Sequence, residues 1–201
     1  GGPFGIRDYW GFNPEAQFFA SRGYATVQVN FRGSGGYGRK FQQAGYGGKW
    51  GAEMQNDITD TVKYLVSEGI ADANKVCIYG ASYGGYATVA GLAFTPELYK
   101  CGIDYVGVTD VSLLFDTLPK HWESQREVLE MQIGDPSDEA LMKRMSPLQH
   151  VDKIKAPLMI VQGAKDPRVV KQHATDLRDA LAKKGVILSD DEWIMKENEG
   201  H

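Results

Sequence analysis

No apolar stretch in the 201 residues is long enough to cross a bilayer, which takes about 20 consecutive residues. Basic residues are not in surplus: 22 Lys and Arg against 26 Asp and Glu leave a formal charge of −4. Nucleic-acid binders usually carry the opposite imbalance, so nucleic acid is not an expected partner. Cysteine is scarce. The two present, Cys77 and Cys101, lie in apolar, strand-like runs. A disulfide between them is conceivable, but the expectation is two reduced, buried thiols, and no Cys/His spacing suits zinc. The Gly-Lys-Ser/Thr ending of a P-loop is missing. The opening, GGPFGIRDYW, lacks the charged-then-apolar pattern of a secretory leader. This excludes little, because the natural start is expected upstream, and the compartment stays open.

Glycine, by contrast, is plentiful at 24 residues, and it gathers in 33–51 and 80–85. Hydrophobic content of 42% and charged content of 24% fit an ordinary globular domain, and the length fits one substantial core. Phe12 to Arg22 reads as a short helix stopped by Gly23, and YATVQVN (24–30) as a buried strand. Met54, Ile58, Val62 and Leu65 recur at helical spacing, so 53–68 is an amphipathic helix ended by Gly69. KVCIYG (75–80), CGIDYVGV (101–108), APLMIVQG (156–163) and DEWIMKE (191–197) read as strands. A helix over 83–94 follows the first of these, and Ala174, Leu177 and Leu181 mark another before Gly185. Residues 110–150 are irregular, an insertion of short helices and loops. Strand and helix alternate, which predicts a mostly parallel sheet with helices on both faces.

The stretch VCIYGASYGGYATVAGL (76–92) carries the chemistry. A strand stops at Gly80, one serine follows, and a helix resumes behind it. Gly80-Ala81-Ser82-Tyr83-Gly84 fits Gly-x-Ser-x-Gly between a strand and a helix, the context a nucleophile elbow requires. The turn is so sharp that bulk on either side would collide, and the small residues leave the Ser82 hydroxyl at the carboxyl edge of the sheet. A serine needs a base to take its proton and a carboxylate to orient that base. In α/β-hydrolases these follow in the order Ser, Asp, His, each past a strand end. Asp166, in GAKDPRVV after the 157–162 strand, and His201, after the last strand, fit that order. His121 and His150 precede Asp166, and His173 lies on the helix after it; all three read as surface or structural histidines. Asp104 and Asp110 follow an earlier strand and are the competing acids.

Gly1-Gly2-Pro3, NFRGSGGYG (30–38), GASYGGYA (80–87), SPLQHVDKIKAPLMIVQG (146–163), KDPRVV (165–170) and EGH (199–201) span the chain. In these the sequence resembles the catalytic domain of the prolyl oligopeptidase family of serine peptidases, nearest its acylaminoacyl-peptidase and dipeptidyl-peptidase-like members. The resemblance implies Ser82 as nucleophile, His201 as general base and then acid, and Asp166 as the orienting carboxylate. It implies an oxyanion hole from the N–H groups of Tyr83 and Gly2. It also implies an apolar pocket for the residue before the scissile bond, proline or another apolar one, lined by Tyr83, Tyr86, Val108, Val111, Leu114 and Val169. The expected activity is hydrolysis of short peptides through an acyl-enzyme, with no metal, cofactor or membrane involved. The alternatives are a carboxylesterase with the same machinery and a catalytically silent hydrolase-fold binding module.

Two departures qualify the match. Many relatives have a histidine before the Gly-Gly-Pro and a final helix after the catalytic histidine, whereas this sequence starts at the glycine and ends on His201. The strand expected between 24–29 and 75–80 is also missing, which would leave backbone groups unpaired. Residues 1–201 are therefore expected to be a partial α/β-hydrolase domain lacking its first strands, with the longer protein supplying them and an N-terminal β-propeller. Gly33-x-Gly35-x-x-Gly38 imitates a dinucleotide fingerprint, but no helical period follows until Glu53, so the helix that would meet a pyrophosphate is not expected. The segment reads as a loop over the active-site edge, with Arg32 and Tyr37 available for structural pairing.

Overall fold

The computed structural model describes residues 1–201. Its centre is a four-stranded, wholly parallel sheet in the order β1 (Cys77–Ala81), β2 (Cys101–Tyr105), β3 (Leu158–Gly163), β4 (Trp193–Lys196). Each strand is shorter than its predicted run; β2, β3 and β4 lie inside theirs, and β1 runs one residue past the predicted end, to Ala81. Residues 156–157 and 191–192 lead into their strands, and 106–108 leave β2 for a loop.

Helix α1 (Pro14–Ala20), capped by the Asn13 side chain on Ala16 N–H, lies on one face of the sheet. There Phe19 packs on Tyr79, and the Tyr79 hydroxyl donates to Glu15. Helices α3 (Glu53–Ser67), α4 (Tyr83–Phe94) and α8 (Gln172–Lys183) belong to the other side. α4 is apolar all round and buried nearly all round, as a central helix must be. Tyr83, Tyr86, Ala87 and Ala90 face one apolar cluster with Trp50 and Met145, while Val89, Leu92 and Ala93 face a second with Ile160 and Leu177. Each fully buried large aliphatic side chain there contributes about 1.5–3 kcal/mol. The helix carrying the serine motif is thus wedged between both halves of the core.

The insertion is built as expected, from α5 (Val111–Asp116), α6 (Arg126–Ile133), α7 (Glu139–Met145) and 3-10 turns at Lys120–Gln125 and Pro147–Lys153. Asp110 and Asp138 cap α5 and α7. The Arg144 guanidinium fastens α7 to the glycine-rich loop through the carbonyls of Gly48 and Trp50. Farther up that loop, Arg32 pairs bidentately with Asp57 at 2.7 and 2.8 Å.

Three expectations are corrected. Residues 24–30 are not a strand: none of the four strands pairs with them, and Tyr24 and Val27 are 58% and 50% exposed. A β-branched run becomes a strand only where a neighbour takes its N–H and C=O groups, and none is there. A short helix, α2 (Arg39–Gln43), does follow Gly38, where no helical period was read. It is too short and too exposed for one to be visible.

The third correction concerns the cysteines. Cys77 and Cys101 form a disulfide, and Cys77 is exposed rather than buried. They are the opening residues of β1 and β2 and lie directly opposite in the ladder, with Cα atoms 4.7 Å apart. Strand spacing of about 4.7–4.9 Å falls inside the range a disulfide needs. Only the register reveals that.

Candidate active site

At the end of β1 the backbone reverses through Ser82, a non-glycine residue at φ 57°. Such a conformation holds only where the surroundings enforce it. The Ser82 N–H donates to the Tyr105 carbonyl of β2 at 2.9 Å, and α4 starts at the next residue. A Cβ on Gly80 would sit 2.6 Å from Gly84 backbone atoms, so the residue two before the serine has to be glycine. The Ser82 side chain caps no helical N–H and is free to face His201.

Asp166 follows β3. Its Oδ1 accepts the N–H groups of Arg168 and Val169 at 2.8 and 2.9 Å, and its Oδ2 lies 2.7 Å from His201 Nδ1. Burial works to raise the Asp166 pKa, but the hydrogen bonds from His201, Val169 and Arg168 outweigh it and hold the carboxyl below the ordinary carboxylate range. His201 Nε2 lies 3.0 Å from Ser82 Oγ. The loops that carry acid and imidazole are tied together: Ala164 N–H donates to Lys196 O and Lys165 N–H to Glu199 O, both at 3.0 Å. Gly163 lets them approach, since a Cβ there would meet the Gly200 carbonyl. Three side chains from distant parts of the chain therefore form one hydrogen-bonded line at the carboxyl edge of the sheet.

A sequence model described as the prolyl oligopeptidase family matches residues 10–201. The chain belongs to that family. Dipeptidyl aminopeptidase BIII of Pseudoxanthomonas mexicana is 41% identical over 204 residues, covering 100% of this chain and 29% of its own. Dipeptidyl peptidase family member 6 of Caenorhabditis elegans is 40% identical over 205 residues, covering 100% of this chain and 27% of its own. Among solved structures, a Mycobacterium tuberculosis puromycin-hydrolyzing peptidase has a TM-score of 0.90 at 30% identity, over 100% of this chain and 29% of its own. The chain spans under a third of the length of these relatives. Its parallel sheet with flanking helices is the α/β-hydrolase arrangement of the prolyl oligopeptidase family.

The other candidate residues of this prolyl oligopeptidase domain fall as follows. Gly1 lies beside the elbow, its N 3.7 Å from where a Cβ on Gly84 would stand. The N–H groups of Gly2 and Tyr83 make no backbone hydrogen bond. Tyr83, Tyr86, Val108, Val111, Leu114 and Val169 share a single apolar cluster, and the most exposed, Leu114, is only 7% exposed. Tyr86 is the deepest aromatic of the set, stacked on Tyr83 and against Trp50, its hydroxyl engaged by the Met145 carbonyl at 2.8 Å. Two open grooves lie elsewhere and hold no residue of the Ser82–His201–Asp166 line: about 490 Å³ on the sheet face under α1, and about 600 Å³ beside Arg32 and Asp57. Of the competing acids, Asp110 caps α5, and Asp104 is sealed in β2. No group of three or more His, Cys, Asp or Glu side chains is placed to hold a metal ion.

Two titratable groups named in the sequence, the competing acid Asp104 and the histidine His173, are both buried near this edge. Asp104 is 1% exposed, its Oδ1 without a partner, in a niche left by Gly85 and Gly107. Burial pushes its pKa up to about 7. His173, read as surface or structural, is fully buried between α8 and the loop after β2. A lone Asp in a strand and a lone His on a helix carry no spacing signal, so the sequence offers them only as a competing acid and a surface or structural histidine and does not reveal their burial.

Proposed function

We propose that this chain is the catalytic portion of a serine peptidase that hydrolyses short peptides through an acyl-enzyme. The observation that carries the reading is the line Ser82 Oγ, His201 Nε2, His201 Nδ1, Asp166 Oδ2, with contacts of 3.0 and 2.7 Å. His201 takes the Ser82 proton as Oγ attacks the scissile carbonyl, and Asp166 holds the imidazole tautomer and stabilises the imidazolium. The N–H groups of Tyr83 and Gly2 receive the oxyanion, where one such donor typically contributes about 2.7–4 kcal/mol. His201 then protonates the departing amine, and a water deprotonated by the same ring releases the acid.

The apolar cluster of Tyr83, Tyr86, Val108, Val111, Leu114 and Val169 favours proline or another apolar residue before the scissile bond. In the whole protein an N-terminal β-propeller accompanies this domain, a reading supported by relatives more than three times its length. A fluorophosphonate probe tests the chemistry in the full-length protein: labelling at Ser82 supports it, and no labelling favours the silent binding module. Comparing a peptide p-nitroanilide with an ester of the same acyl group separates the peptidase from the carboxylesterase, because only the amide demands protonation of a poor leaving group.

A further inference from the structure

The acid loop and the loop after β2 supply different members of one apolar cluster: Val169 comes from the first, and Val108, Val111 and Leu114 from the second with α5. One fully buried imidazole joins them. His173 Nδ1 accepts the N–H of Thr109 at 3.3 Å and that of Asp110 at 3.4 Å. The Thr109 hydroxyl donates back to the His173 carbonyl at 2.9 Å. Both Thr109 and His173 are 0% exposed. An imidazole that accepts at Nδ1 is neutral and carries its proton on Nε2. Burial keeps it so by lowering the ring's pKa to about 4, although Asp110 and Asp166 pull the other way. His173 Nε2 has no partner, so the ring's polar contacts all serve the junction.

We propose that His173 is a positioning residue that sets the spacing between the two walls of the acyl-side pocket, and thereby the side-chain selectivity of the enzyme. The proposal rests on the peptidase reading above. The triad does not depend on this junction: Asp166 is fixed by Arg168 and Val169 N–H, and the His201 loop by Ala164 and Lys165. Losing the Nδ1 acceptor leaves the buried Thr109 N–H and the half-buried Asp110 N–H at the base of α5 unpaired. The wall carrying Val108 and Val111 then moves, while the reacting atoms stay in place. KM and selectivity change, and kcat does not.

The test compares His173→Leu, which fills space without an acceptor, with His173→Gln, whose side-chain oxygen can accept the same N–H groups. Both are made in the full-length protein and assayed on p-nitroanilides with Ala, Pro and Phe before the scissile bond. Leu is expected to raise KM about tenfold, the effect of stranding these donors, with kcat within about threefold and discrimination among the three residues narrowed; Gln restores most of it. Thr109→Val, which keeps the ring and removes the return hydrogen bond, is expected to raise KM about threefold and decides the matter should the Leu variant not fold. Wild-type KM and selectivity in the Thr109→Val variant, or a Leu variant that loses kcat at unchanged KM, overturns the proposal. Failure of the wild type to label at Ser82 overturns the peptidase reading itself, and the proposal with it.

Discussion

Lys165 N–H donates to the Glu199 carbonyl at 3.0 Å, joining the residue before the proposed acid to the residue two before the proposed base. The short contact between Asp166 and His201 is therefore a property of two loops fixed to one another, not of two mobile side chains. If Asp166 acts by orienting the ring, Asp166→Asn keeps the geometry but selects the wrong tautomer. A fall of about 10⁴ in kcat with little change in KM is expected, measured on a p-nitroanilide with circular dichroism as the control for folding. A loss confined to KM would contradict the assignment.

Gly80 and Gly84 are equivalent in the motif and unequal in space. A Cβ on Gly80 would stand 2.6 Å from Gly84 main-chain atoms, whereas the nearest atom to a Cβ on Gly84 is Gly1 N at 3.7 Å. Gly80→Ala must displace backbone at the elbow, so a cost of about 1–3 kcal/mol is expected together with loss of fluorophosphonate labelling at Ser82. Gly84→Ala fits without displacement, and alanine is the better helix former, so folding and labelling persist. Equal outcomes for the two variants would refute this account of the turn.

The strands that formed, α3, α4 and the strand-to-helix turn at Ser82 were readable because each rests on local pattern: apolar runs, a helical period, a motif between strand and helix. What stayed hidden depends on neighbours across space. Residues 24–30 have the composition of a strand and lack the partner that would make them one. Cys77 and Cys101 are bonded because of a register that no spacing of 24 residues encodes. His173 matters through hydrogen bonds to Thr109 and Asp110, 64 and 63 residues away.

Asp104 should make stability depend on pH. Its folded pKa is raised to about 7 from an ordinary 3.8, since the Gly107 N–H only partly offsets burial. The native state therefore binds this proton more tightly than the unfolded state does. The stability so conferred is complete below pH 3.8 and is lost as pH rises through about 7. Asp104→Asn cannot ionise, so its melting temperature is expected to exceed that of the wild type by roughly 5 °C at pH 8, with the difference shrinking toward pH 4. Thermal scans of both proteins across that range check the sign, and a wild type that gains stability relative to Asp104→Asn on going from pH 5 to pH 8 would refute it.

The Cys77–Cys101 bond closes the first rung of the β1–β2 ladder, and the Ser82–Tyr105 hydrogen bond closes the last. Cross-linking residues 24 apart in sequence removes loop freedom from the unfolded chain, which in the chain-entropy account stabilises the fold by about 3 kcal/mol. Reduction, or the Cys77→Ser and Cys101→Ser pair, is expected to lower the melting temperature by several degrees. Because the remaining rungs still hold β1 against β2, labelling at Ser82 should survive below that temperature. A non-reducing peptide map shows directly whether the two cysteines are joined; two alkylatable thiols in the oxidised protein would return them to the free state that the sequence alone suggested.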